Sequence, residues 1–246
     1  MRILGIIPAR YASSRFPGKP LVDIGGKSMI QRVYEQAKKC YDLTDVVVAT
    51  DDDRIFEHVK AFGGMAVMTS GQHQSGTDRC AEVALAHFQY DVVINIQGDE
   101  PYINPLQIST LAGCFSSPEV QLATLVKRVK TEQELHNPNT PKVIVNTLSE
   151  AAYFSRSAIP HIRGEEPENW LEFYHFFKHI GIYGYRADVL QQITKLPVSP
   201  LEKAESLEQL RWIENGYRIK VAETELETYA VDTPEDLDRL APLLNL

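Results

Sequence analysis

The stretch IPARYASSRFPGKP, residues 7–20, carries three fixed positive charges, Arg10, Arg15 and Lys19, and no acid precedes Asp23. The whole chain is nevertheless anionic, with a formal net charge of -8 over 246 residues. Guanidinium forks make bidentate contacts to phosphate and an ammonium adds a point charge, so this loop suits a polyphosphate. The plainer alternative is a surface loop of solvated charges. Two carboxylates could complete an anion site. Asp99 stands in INIQGDEP, residues 94–101, just past an apolar run, and Asp232 stands in VDTPED, residues 231–236. Mg²⁺ takes few protein ligands and keeps several waters, so one or two carboxylates beside phosphates can hold it. Each aspartate also has a structural role open to it. Asp99 could cap a turn at Gly98-Asp99, and Asp232 could sit at the positive end of a helix.

Other segments carry weaker signals. TSGQHQSGTDR, residues 69–79, is a polar loop entering a helix, a place where backbone groups can shape an anion or base pocket. FYHFFKHIGIYGYR, residues 173–186, contains His175 and His179, which would share a face on a helix. No third ligand of matching spacing accompanies them, which argues against zinc. The aromatics Phe173–Phe177 suit a core or a subunit interface. Two phosphate signatures are missing: no GxGxxG follows the first strand, and Gly18-Lys19 is followed by proline, not Ser or Thr.

These residues need elements to place them. The first half repeats an apolar strand, a polar loop and an amphipathic helix. The strands are expected at Ile3–Ile7, Val46–Ala49, Ala66–Met68 and Val92–Ile96. The helices are expected at Met29–Lys39, Asp52–Phe62, Thr77–Phe88 and Pro105–Phe115. Short apolar strands alternating with helices predict a parallel sheet covered on both faces. In such sheets ligands bind beyond the strand carboxyl ends, where the winding reverses. If that point lies between the first and fourth strands, Asp99 faces the cationic loop. After Leu122 the rhythm breaks, with strands at Leu122–Val126, Lys142–Val145, Ala151–Phe154 and Ile180–Tyr185 and little helix between them. That predicts an antiparallel insert or a mixed extension of the sheet. The charged stretch His161–Asn169 reads as a loop. Ser199–Glu202 is a capping box opening a helical region that ends at Asn215-Gly216. Val231-Asp232 is expected to leave a strand, with Pro234 starting the last helix.

Length and composition bound the class. The chain suits one large α/β domain, and an acidic balance disfavours general nucleic-acid binding. Cys40, Cys80 and Cys114 show no CxxC spacing and read as thiols in a reducing cytosol. No apolar stretch is long enough for a membrane span.

Taken together, IPARYASSRFPGKPL, VATDD, HQSGTDR, NIQGDEP, YFSR, HIGIYGY, LEQLR and VDTPEDL resemble the 3-deoxy-manno-octulosonate (Kdo) cytidylyltransferase family almost end to end. The resemblance implies a nucleotide-diphospho-sugar transferase fold: α/β, a doubly wound, mostly parallel sheet with a small mixed insert. It implies a single domain, with residues 1–120 binding nucleotide and residues 121–246 serving sugar binding and dimerisation. The implied reaction transfers CMP from CTP to the anomeric hydroxyl of Kdo and releases pyrophosphate, with Mg²⁺, in a cytoplasmic homodimer that serves lipopolysaccharide assembly. Residue by residue, Arg10, Arg15 and Lys19 match the triphosphate binders, and Arg10, Lys19, Asp99 and Asp232 the catalytic set. Asp99 and Asp232 match the metal ligands. Pro8, Ala9, Thr50, Gln74, Ser75 and Gln97 fall on the nucleotide side. Arg79, Gln97, Arg156, His179, Tyr183, Glu208 and Gln209 match the sugar-acid pocket, Arg79 and Arg156 as holders of its carboxylate. Activation of 8-amino-Kdo or another ulosonic acid is the rival within the class. A non-catalytic nucleotide-binding module is the rival outside it, and it would not need two acidic strand ends plus a second polar pocket.

Overall fold

The computed structural model describes residues 1–12 and 16–240. A nine-stranded mixed sheet runs through the molecule. Its strands are β1 (Ile3–Ala9), β2 (Asp45–Thr50), β3 (Ala66–Met68), β4 (Val92–Asn95), β5 (Leu122–Arg128), β6 (Lys142–Val145), β7 (Ala151–Ser155), β8 (Phe177–Arg186) and β9 (Ile219–Glu223). The helices are α1 (Met29–Lys38), α2 (Asp53–Ala61), α3 (Gly76–Ala86), α4 (Pro105–Gly113), α5 (Glu132–His136), α6 (Trp170–Phe173), α7 (Ala187–Ile193), α8 (Pro200–Glu205), α9 (Gln209–Glu214) and α10 (Glu235–Leu240).

Seven strands lie in the order β3-β2-β1-β4-β8-β5-β9, with β6 pairing β7 and β8. β1 pairs in parallel with both β2 and β4, so the winding reverses between β1 and β4, as expected. β8 enters antiparallel between β4 and β5, which makes the second half a mixed extension of the same sheet. The pleat sorts side chains to two cores. Ile3 and Ile7 of β1 pack with Met29, Ile30 and Val33 of α1 and with Ile108 and Leu111 of α4. Leu4 and Ile6 face the other way, with Cys80, Ala81 and Val83 of α3 and Leu190 of α7.

Local chemistry ends the elements. Ser28 caps α1, accepting from the backbone of Gln31, and Ser75 forms a reciprocal capping box with Asp78 at α3. Gly63 follows α2 at φ +81, a conformation that costs glycine nothing. The helical region from Ser199 to Asn215 consists of two helices, because Ser206 sits in the left-handed region at φ 52 and divides it. Two expectations need correction. Among the described residues no strand leads directly into Asp232, and the ninth strand is Ile219–Glu223 instead. His179 lies in β8, so the helical pairing of His175 and His179 does not exist. The aromatic run is also divided. Phe176 is fully buried and stacked on Trp170 at 6.2 Å, while Phe173 is exposed.

Candidate active site

A cavity of about 380 Å³ opens at the carboxyl ends of β1 and β4, lined chiefly by Pro8, Ala9, Arg10, Lys19, Asn95, Gln97, Gly98 and Asp99. β1 delivers Pro8 and Ala9 to its wall, and β4 delivers Asn95 and, just beyond, Gln97. The two strand ends approach closely at Gly98, where an added Cβ would stand 2.6 Å from the carbonyl oxygen of Pro8. Only a glycine lets the backbones meet there.

The charges converge. The Lys19 ammonium lies 2.7 Å from Oδ2 of Asp99 and 3.7 Å from Oδ1 of Asp232. It also donates to the carbonyl of Val231 at 2.8 Å. Val231 in turn donates its backbone N–H to the carbonyl of Asp99 at 2.9 Å. Asp232 thus reaches the site without a strand beneath it. The segment leading to it is fastened by ion pairs. Glu227 meets Lys127 of β5 at 2.7 Å and Lys178 of β8 at 2.9 Å. Buried lysines need such partners, since an unpaired ammonium out of water is costly. Beside Asp99, burial first and then the Asp99 charge push Glu100 up to about 8.

Arg10 donates to the carbonyls of His73 at 2.6 Å and Ser75 at 3.2 Å, which ties the first loop to the N-terminus of α3. Arg15 lies outside the described residues. Gln97 donates to the carbonyl of Gly181 in β8 at 2.7 Å, joining the two halves of the site. Outside that cavity, Thr77 donates to Glu208 at 2.6 Å, and Glu208 lines a second cavity with Gln74 and Ser75. Burial raises the Glu208 carboxyl above its ordinary range, while hydrogen bonds from Thr77 and Ser75 oppose the rise. The imidazole of His179 stands edge-on to Phe154, with its Nε2 2.9 Å from the Thr124 hydroxyl. Burial lowers it to about 3, so it is neutral at physiological pH. The Tyr183 hydroxyl is pushed well up by burial, then by Tyr185 and Glu208.

Several expected residues stand apart from the cavity. Arg79 is 0% exposed, with its guanidinium bonded to the Thr69 hydroxyl and 3.3 Å from Asp51. As placed, it has no surface to offer a sugar carboxylate. Arg156 directs its guanidinium at the carbonyls of Pro138, Glu205 and Ser206. These contacts tie β7 to the end of α8. Thr50 is fully buried at the end of β2, with its carbonyl accepting from Thr69 at 2.8 Å. Gln74 is exposed and donates to the carbonyl of Gln72 at 3.1 Å. Of the polar side chains on the cavity, Asn95 escaped the sequence reading; it stands two residues before Gln97 and therefore on the same face of the chain, and Ala12, Pro20, Gly76 and Gly98 complete the lining.

This arrangement, a switch-point cavity with a lysine between two carboxylates, is that of a nucleotidyltransferase. The cytidylyltransferase family model matches residues 4–220. A 3-deoxy-manno-octulosonate cytidylyltransferase of Parabacteroides distasonis is 59% identical over 99% of this chain and 98% of its own length. One of Cytophaga hutchinsonii is 57% identical over 97% and 96%. A solved CMP:2-keto-3-deoxy-manno-octonic acid synthetase complexed with CTP is 46% identical, superposes with a TM-score of 0.92 and covers 100% of this chain and 99% of its own. The chain belongs to the 3-deoxy-manno-octulosonate cytidylyltransferase family. Among the described residues no helix is long and apolar enough to cross a membrane.

Proposed function

We infer that this enzyme transfers CMP from CTP to Kdo and releases pyrophosphate, in the service of lipopolysaccharide assembly. The observation that carries the reading is Lys19 held between Asp99 and Asp232 on the switch-point cavity, in a chain so similar to named Kdo cytidylyltransferases. The anomeric hydroxyl of the sugar acid attacks the α-phosphorus in line and loses its proton. The bond from that phosphorus to the bridging oxygen breaks, and pyrophosphate leaves with the electron pair. Positioning and charge stabilisation supply most of the acceleration in such transfers. Lys19 stabilises the charge that builds on the phosphates. Arg10 holds the first loop against α3. Gln97 couples the nucleotide side to β8, whose His179 and Tyr183 support an acceptor pocket together with Glu208 and Gln209 at the start of α9.

Two carboxylates that converge on one ammonium form a hard oxygen donor set, which fits Mg²⁺. Bound between Asp99 and Asp232, the ion would neutralise phosphate oxygens. The two sequence halves divide the labour, with residues 1–120 on the nucleotide and residues 121–246 on the sugar. The exposed Phe173 supports a homodimer contact, and three unpaired cysteines suit a reducing cytoplasm. A pyrophosphate-release matrix tests the reaction: CTP and UTP against Kdo, 8-amino-Kdo and N-acetylneuraminate. Turnover is expected with CTP and Kdo. Robust turnover with N-acetylneuraminate and none with Kdo or its 8-amino form would overturn the substrate.

A further inference from the structure

The segment VATDD, residues 48–52, leaves β2 with two aspartates. Asp51 meets the buried Arg79. Asp52 caps α2, its Oδ1 accepting from the backbone N–H of Arg54 at 3.0 Å. The same carboxylate takes the Arg54 guanidinium in a two-pronged contact, Nε to Oδ1 at 2.9 Å and Nη2 to Oδ2 at 2.6 Å. The charge of Arg54 is thereby matched and its plane fixed. That plane lies on the Tyr11 ring, with the guanidinium carbon 3.3 Å from the ring centroid. Tyr11 follows Arg10 in the loop after β1. Its ring covers Gly18, where an added Cβ would stand 3.2 Å from Cζ of Tyr11. The Gly18 N–H donates to the Tyr11 carbonyl at 2.9 Å. Gly18, at φ +74, heads the 3-10 turn Lys19–Leu21. A continuous path of contacts thus leads from the N-terminus of α2 to Lys19.

The strength of these contacts limits what they can do. An exposed ion pair adds little to folding, and the Arg54 side chain is 58% exposed. A guanidinium over an aromatic face contributes more when its plane is already held, and lysine has no plane to stack. The effect is therefore local: the two ends of the loop are held together at Tyr11 and Gly18. Lys19 needs that hold. Its ammonium serves phosphates and two carboxylates at once, and a misplacement of about 1 Å in such a group can cost ~100-fold. Glycine at position 18 constrains the chain less than any other residue would, so the constraint has to come from outside the turn. Arg54 is not itself placed as a phosphate ligand. Its fork is engaged by Asp52, and it does not line the cavity.

We propose that Arg54 is a positioning residue for nucleotide binding: held flat by Asp52, it keeps Tyr11 on Gly18 and so fixes Lys19 for the triphosphate. The proposal rests on the reading of the cavity as a CTP site and extends that site to α2. Its test is calorimetric titration with CTP and Mg²⁺, with the KM values for CTP and Kdo measured beside it. Arg54→Ala should weaken CTP binding and raise the CTP KM by about 2-fold to 5-fold, the factor one exposed cation–π contact can contribute. The Kdo KM should hold. The thermal midpoint should shift by no more than about 4 °C, the scale of one exposed ion pair in a chain of this size. Arg54→Lys, which keeps the charge and loses the plane, should recover little. Tyr11→Leu should show the same loss, and Tyr11→Phe, which keeps the ring, should recover most of it. The double variant of Arg54→Ala with Tyr11→Leu should be no worse than either single, since both break one path. Wild-type CTP affinity in Arg54→Ala would overturn the proposal. So would full recovery by Arg54→Lys or multiplicative losses in the double variant, either of which would make Arg54 act through its charge. An equal rise in both KM values with a lower thermal midpoint would reduce Arg54 to a structural role and overturn it too. Because CTP is titrated without an acceptor, a failure of the Kdo reading leaves this test standing. A wild type that binds no CTP would sink the nucleotide reading and the proposal with it.

Discussion

The ammonium of Lys19 lies 2.7 Å from the carboxylate of Asp99, although 80 residues separate them. The contact joins the loop after β1 to the loop after β4, and Asp232 comes within 3.7 Å of the same ammonium. Lysine and the two acids form one unit. Asp99→Asn and Asp232→Asn each keep shape and remove one charge. Each variant should fold and lose activity by roughly a hundredfold, the scale of one preorganised electrostatic contact. The double variant should be little worse than either single, because both disable the same unit. Steady-state rates for the three proteins decide it. Strictly multiplicative losses would mean that the carboxylates act separately.

Glu227 should matter to catalysis without touching a reacting group. Its ion pairs to Lys127 and Lys178 hold the strandless segment that carries Asp232. Glu227→Gln should lower kcat on the order of tenfold to a hundredfold, the cost of a misplaced group. Circular dichroism should show an unchanged fold. Wild-type kcat would mean that the segment is positioned by its backbone bonds alone.

Gly98→Ala puts a methyl group 2.6 Å from the Pro8 carbonyl oxygen. That oxygen is backbone and cannot swing away. The loop bearing Asp99 must move, so the variant should lose ~100-fold in kcat. Thermal melts and rates measured together would expose the error, if both stay at wild-type values.

Arg156→Lys should act on stability first. The arginine donates to three backbone carbonyls with the planar fork that lysine lacks. Loss of part of that set should cost about 1–3 kcal/mol in urea unfolding. Both substrate KM values should hold. A raised Kdo KM at unchanged stability would restore the arginine to the sugar carboxylate.

His179 makes folding stability depend on pH. Burial lowers its imidazole to about 3 in the folded chain, from an ordinary 6.5. Between those values the unfolded chain binds the extra proton, so stability falls as pH drops below 6.5. At pH 5 the loss is up to about 2 kcal/mol by linkage. His179→Gln should show a shallower decline between pH 7 and 5 in denaturant midpoints. Parallel slopes for the two proteins would place the dependence on other groups.

Much of the first half was legible from residue order. Strands covered on both faces are short and apolar, they alternate with amphipathic helices, and the loop after the first strand is cationic and free of acids. These signals are local. The second half hid more, because β8 pairs with β4 and β5 across long separations, and nothing near Phe177–Arg186 encodes its neighbours. The break at Ser206 is a single left-handed residue in an otherwise helical pattern.

The composition of the site was therefore set by the amino-acid order: cations after β1, an acid after β4, an acid before α10. Which of those residues act together was left to packing. Residue types show charge but not depth, and depth turned Arg79 from a candidate substrate contact into a buried partner of Asp51 and Thr69.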